Sequence, residues 1–136
     1  MKTIAFSLML FVVTFSLQAQ TKPLYDSWGR NIGSISADGT IRNSSGSIVE
    51  KVSSSGGIRD NNGSSNGKFL SNGNLLDSNG SSVGKVTDNG TVLDYNGRYL
   101  GKISSDGKVY DSNGRFLGSD NGSNKAQAAL VYFFSN

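Results

Sequence analysis

The sequence contains no cysteine and no histidine, a single proline (Pro23) and a single glutamate (Glu50). Those absences remove most familiar chemistry. Without histidine or cysteine there is no imidazole base, no thiolate nucleophile and no ordinary zinc or copper site. Disulfides are excluded, so packing and hydrogen bonds must hold the fold. Charge of either sign never accumulates: 13 Lys and Arg stand among 10 Asp and Glu, with no basic run. Nucleic acid is therefore not an expected partner. A chain of 136 residues has room for one domain.

Residues 1–19 read as a secretory signal peptide. Lys2 supplies the positive start, Ile4 to Leu17 form a mostly apolar run, and Gln18-Ala19 offers a small residue before cleavage. The run is shorter than the roughly 20 apolar residues that span a bilayer. The expected mature protein thus begins at Gln20, lacks a transmembrane segment, and lies in the periplasm, on the cell surface or outside the cell. Having no cysteine, it cannot carry a cysteine-linked lipid.

From Leu24 the sequence repeats every 17 residues. Copies begin at Leu24, Ile41, Ile58, Leu75, Val92 and Val109. Position 3 of the unit is Asp26, Asn43, Asp60, Asp77, Asp94 and Asp111, and position 6 is glycine in every copy. Position 10 is glycine except at Glu50, and a third glycine column runs from Gly39 to Gly107 at position 16. Only Gly57 and Gly122 fall outside these columns. A flexible linker would show no such phase.

Asp at position 3 with Gly at position 6, as in Asp111-Ser112-Asn113-Gly114, is hairpin-turn chemistry. The carboxylate accepts from backbone N–H groups while Gly takes a positive φ. A second turn, as in Ser105-Asp106-Gly107, alternates with the first and leaves short strands between. The chain is expected to be all-β. Apolar residues recur at position 1, at position 9 (Ile32, Val49, Val83, Leu100 and Leu117) and at position 12 (Ile35, Val52, Phe69, Val86 and Ile103). Positions 9 and 12 would face opposite ways on a straight strand. A bulge at the position-10 glycine would return them to one side. So small a core favours a closed ring or barrel of short antiparallel hairpins with no free sheet edge.

Ala126 to Phe134 abandon the repeat and form the most apolar stretch of the mature chain. Asn124 is placed to cap a short helix through the alanines, whereas Val131 to Phe134 have strand propensity. A plug packed on the repeat core is expected over a membrane or partner-binding tail. The domain is thus read as residues 20–136, with repeats over 24–122 and an apolar segment over 124–136.

The Asp-x-Asn-Gly turns, the Gly-x-aliphatic strands and the aromatic C-terminal stretch resemble the small secreted β-flower repeat proteins of Bacteroidetes-type bacteria. The resemblance covers about residues 24–134. It implies short antiparallel β-units about a four- or five-fold pseudo-symmetry axis and carries over no activity. Six copies of the first turn against five of the second fit either five units, with end halves completing one another, or six hairpins in an open array.

Asp-x-Asn-Gly also suggests calcium, but an EF-hand loop needs a closing Glu and the calcium β-roll has a different glycine order. Turn chemistry accounts for the column, so no metal and no cofactor are expected. Paired carboxylates are the remaining catalytic option. Five acids hold position 3, while Asp38, Asp88 and Asp106 fall in the second turn, leaving Glu50 and Asp120 outside the rule. No catalytic residue, and no enzyme, is expected. Trp28 and Tyr95 lie inside turns, Tyr25 and Tyr110 share position 2, and Tyr99 and Phe116 share position 8. Rings beside Asp and Asn suit sugar recognition, since a ring stacks on a sugar's apolar face while polar side chains bond its hydroxyls. The alternative is that these rings cover the sheet or fill the barrel. The expectation is a non-catalytic structural or binding module of the cell envelope, with a protein or glycan partner; the sharper alternative is a glycan or cell-wall polymer module using Trp28, Tyr95, Tyr25 and Tyr110. Clustering on one exposed face would favour the sharper reading.

Overall fold

A computed structural model describes residues 21–135; the expected signal peptide lies outside the described residues. Twelve strands follow one another: β1 (Lys22–Asp26), β2 (Asn31–Ile35), β3 (Thr40–Asn43), β4 (Ile48–Val52), β5 (Gly57–Asp60) and β6 (Ser65–Phe69). The second half continues with β7 (Asn74–Leu76), β8 (Ser82–Val86), β9 (Thr91–Asp94), β10 (Tyr99–Ile103), β11 (Lys108–Asp111) and β12 (Phe116–Ser119). Each pairs antiparallel with its chain neighbour, and β12 pairs with β1 through Tyr25–Ser119 and Asp26–Gly118, closing the barrel. Six hairpins thus form a closed array rather than an open one, joined by five inner turns.

Both turn types are three-residue loops. In the outer turn of the first copy the Asp26 N–H donates to the Arg30 carbonyl at 2.9 Å, and the Gly29 N–H to that of Asp26 at 3.1 Å. Gly29 has φ +80°, the left-handed residue that completes such a loop. The inner turns repeat the pattern, as where Ser36 N–H bonds the Thr40 carbonyl at 2.9 Å. The two ends of the barrel differ in crowding. A Cβ on Gly39 would lie 1.9 Å from the Val52 carbonyl oxygen, whereas one on Gly29 would meet nothing within 4 Å. Inner turns therefore pack against the next hairpin, and outer turns stand apart like petals.

The expected bulge occurs in all six hairpins. Leu24 faces Gly33 and Tyr25 faces Asn31, so Ile32 is the extra residue; Val49, Asn66, Val83, Leu100 and Leu117 are skipped likewise. The interior is lined by position 1 (Leu24, Ile41, Ile58, Leu75, Val92 and Val109) and position 12 (Ile35, Val52, Phe69, Val86 and Ile103), all buried. Ile32, Val83, Leu100 and Leu117 pack half-buried against this core, while Val49 is 42% exposed.

The C-terminal segment fills the barrel. Asn124 caps helix α1 (Lys125–Ala129), its side-chain oxygen accepting from the Ala126 and Gln127 N–H groups. Leu130–Phe134 continue as a wider, π-helical turn, in place of the strand that propensity suggested for Val131 to Phe134. The reason is topological: ring closure leaves no strand edge inside the barrel, so a buried backbone must bond to itself. Ala128, Ala129 and Leu130 join the core. Three successive aromatics then meet three successive position-10 glycines. A Cβ on Gly84 would lie 2.7 Å from Phe134 Cζ, on Gly101 2.6 Å from Phe133 Cε1, and on Gly118 3.0 Å from Tyr132 Cε1. No helix among the described residues is long and apolar enough to cross a membrane.

Candidate functional site

The outer turns are built by position-3 side chains. Asp26 Oδ1 accepts from the Trp28 and Arg30 N–H groups, each at 2.9 Å, and Asp94 and Asp111 do the same in their turns. Asn43 replaces Asp without loss, accepting from Ser45 and Ser47 at 3.0 Å. These carboxylates are therefore committed to the backbone, as turn chemistry required. Donation from the backbone N–H of Arg30, Arg98 and Arg115 is the main cause holding Asp26, Asp94 and Asp111 below the usual carboxylate range.

These same three copies differ from the others at position 7, where they carry Arg30, Arg98 and Arg115 in place of Ser47, Ser64 and Ser81. Each arginine Nε lies 3.1 Å from the second carboxylate oxygen of its turn. Their side chains remain 74%, 76% and 79% exposed. With Nε engaged, the terminal Nη groups have no hydrogen-bond partner among the described residues. Sequence reading overlooked this column, although the three arginines share one repeat position.

The aromatic residues divide cleanly. Phe69 is in the core, and Tyr132, Phe133 and Phe134 belong to the plug. The remaining rings among the described residues all lie on three hairpins, β9–β10, β11–β12 and β1–β2, which are neighbours because β12 pairs with β1. Trp28 is 80% exposed and Tyr95 68%, at outer-turn tips. Tyr99 and Phe116 are also exposed, and Tyr25 and Tyr110 are half-buried on the outer wall. Tyr110 packs edge-on against its cross-strand partner Phe116, ring centres 5.9 Å apart. Thus Trp28, Tyr95, Tyr25 and Tyr110, widely spaced in sequence, share one arc. The rings neither fill the barrel nor spread evenly around it.

The two exceptional acids lie elsewhere. Glu50 occupies a position-10 site and accepts a 2.6 Å hydrogen bond from Asn66 Nδ2. Asp120 stands where other copies place a buried apolar side chain, is 1% exposed, and leaves Oδ2 without a partner among the described residues. Burial is the main cause raising its carboxyl above the usual range. At the inner-turn end, an open cleft of about 520 Å³ lies beside α1, bordered by Asp38, Lys51, Phe69 and Gln127.

A family model described as "5-fold beta-flower protein" matches residues 21–136. No curated protein and no solved structure matches the chain.

Proposed function

The chain belongs to the 5-fold beta-flower family, and from that premise we propose that it is an exported, non-catalytic binding module of the cell envelope whose ligand is a glycan or cell-wall polymer. One observation carries the reading: among the described residues, every aromatic ring outside the core and plug lies on three adjacent hairpins. Exposed rings on a rigid, internally bonded scaffold lose little side-chain freedom on binding. A polysaccharide offers the matching surface, with apolar faces for the rings and hydroxyls for the Asn and Ser side chains of the turns. The non-catalytic part rests on the acids, since the position-3 carboxylates are bonded within their turns. The export part rests on residues 1–19.

The test expresses the protein from its full sequence and recovers it from the exported fraction. An N-terminus at Gln20 supports export, and intact retention in the cytoplasm argues against it. The exported protein is then passed over peptidoglycan and a set of insoluble polysaccharides. Trp28→Asn and Tyr95→Ser use residues that other copies carry at the same turn positions, so the fold has its own precedent for them. Retention that the double variant loses supports the reading; retention unchanged by it, or none on any polysaccharide, overturns it.

A further inference from the structure

We infer that the arc is a site for an acidic polysaccharide, whose anionic groups are taken by Arg98, Arg115 and Arg30 while its sugar rings lie against the intervening aromatics. The inference rests on the sugar reading above and specifies the chemistry of that ligand.

Three features of the arginines carry it. First, each is held by its own turn: the Asp carboxylate bonds two backbone N–H groups with one oxygen and the arginine Nε with the other. That fixes the orientation of an otherwise floppy side chain, and the geometry recurs at 3.1 Å in all three turns. Second, the unpartnered Nη pair of each guanidinium forms the planar fork that binds carboxylates and other oxyanions with two parallel bonds. Third, no competing acid is available on this rim. The three hairpins themselves carry no acid besides Asp26, Asp94 and Asp111. The flanking acids Asp38, Asp88, Asp106 and Asp120 lie at the opposite, inner-turn end, where Ser104 and the Lys108 N–H bond Asp106 and Asp120 is buried. Lys102 adds positive charge beside Tyr110, its cross-strand partner.

The spacing suits a polymer. Consecutive outer turns are two strands apart, about 10 Å at ordinary strand separation, and the petals stand free of one another. Extended polysaccharides with one acid per disaccharide present charges at a comparable interval. The position-7 arginines are confined to the same three copies as the outward-facing aromatics, whereas copies two to four carry Ser47, Ser64 and Ser81 there; the other arginines of the repeats, Arg42 and Arg59, hold position 2. A solubilising role would not require that coincidence, because any copy could then carry the charge.

The test is affinity electrophoresis of the exported protein in gels containing a polyuronate, dextran sulfate, neutral dextran or polyglutamate. The variant R30S/R98S/R115S installs the serine of copies two to four, and its melting curve is recorded alongside. Single R98S serves as a second variant should the triple one melt early. Retardation by polyuronate or dextran sulfate that falls about tenfold or more in the triple variant, partly in R98S, and weakens with added salt supports the proposal; the stronger polymer names the anion as carboxylate or sulfate ester. Equal retardation by neutral dextran, or no change in the arginine variants while Trp28→Asn with Tyr95→Ser abolishes binding, overturns the acidic ligand and leaves the sugar reading standing. Equal retardation by polyglutamate reduces the arc to a charge patch and overturns the proposal. Failure to bind any polysaccharide removes both readings.

Discussion

The Tyr132 hydroxyl donates to the Tyr25 carbonyl oxygen 2.6 Å away and lies 2.9 Å from the carbonyl of Ser119, the residue facing Tyr25 across the closing strand pair. A side chain from the end of the chain thus clasps both strands of the seam. Burial is the main cause raising its phenol above the ordinary value, so the hydroxyl keeps its proton and remains a donor. Tyr132→Phe preserves the ring against Gly118 and deletes only the clasp. The expected loss is about 1–2 kcal/mol, read as a lower urea midpoint with unchanged slope. Backbone amides of β1 and β12 should exchange faster than those of β9 and β10. Uniform acceleration around the ring would show that the clasp is not local to the seam.

The 17-residue period made much of the fold legible, because each column has one physical reason. Position 1 and position 12 are apolar and became the core; position 3 accepts from the turn. The position-10 glycine leaves room for the carbonyl of the neighbouring strand, while the bulge beside it forms even in the copy that carries Glu50. Closure was expected from the thin core, but which strands meet was not written in any single repeat. Val131 to Phe134 misled for a related reason: their strand propensity had no edge to satisfy once β1 and β12 had paired. At the candidate site, Trp28 and Tyr95 were readable as turn-tip rings from position alone. Their grouping was not, since copies one and six become neighbours only through Tyr25–Ser119 and Asp26–Gly118. The arginines went unread because an exposed Arg has meaning only beside the groups that orient it.

Glycine substitutions separate crowding from backbone preference. A Cβ on Gly101 would sit 2.2 Å from the Tyr110 carbonyl oxygen and 2.6 Å from Phe133. Gly101→Ala should therefore cost about 2–3 kcal/mol or more by forcing the plug and the next strand apart. Gly29→Ala meets no atom and suffers only its φ of +80°, about 1 kcal/mol. Thermal melts of the two variants give the comparison. Equal losses would mean that the plug does not press on the glycine column.

The turn carboxylates should make the fold acid-sensitive. Asp26, Asp94 and Asp111 titrate lower folded than unfolded, chiefly through the backbone N–H groups of Arg30, Arg98 and Arg115. Their contribution is complete above the unfolded value of about 3.9 and is lost as pH falls through the lowered folded value. Asn43 performs the same turn without a titrating group. The triple change D26N/D94N/D111N should therefore flatten the acid limb of stability between about pH 5 and 2, measured by urea midpoints, while leaving β-sheet circular dichroism intact. An unchanged limb would place the acid response on other groups.

Asp120 should act in the opposite sense. It is buried in a position held elsewhere by Ile, Val or Phe, and Oδ2 has no partner among the described residues. Burial raises its folded value, Asp106 in the facing turn adds to the rise, and Lys125 on α1 opposes it; Tyr132 stays neutral beside it. A carboxyl that titrates higher folded than unfolded costs stability in full above its folded value. That cost fades as pH falls and vanishes below the unfolded value. Asp120→Asn removes the charge and keeps an oxygen for the Gly122 N–H, which Asp120 Oδ1 now accepts at 2.9 Å. At pH 7 the variant should gain about 1–2 kcal/mol, and below about pH 4 the two proteins should converge. A gain of equal size at pH 3 and pH 7 would trace the cost to the shape of the side chain rather than to its charge.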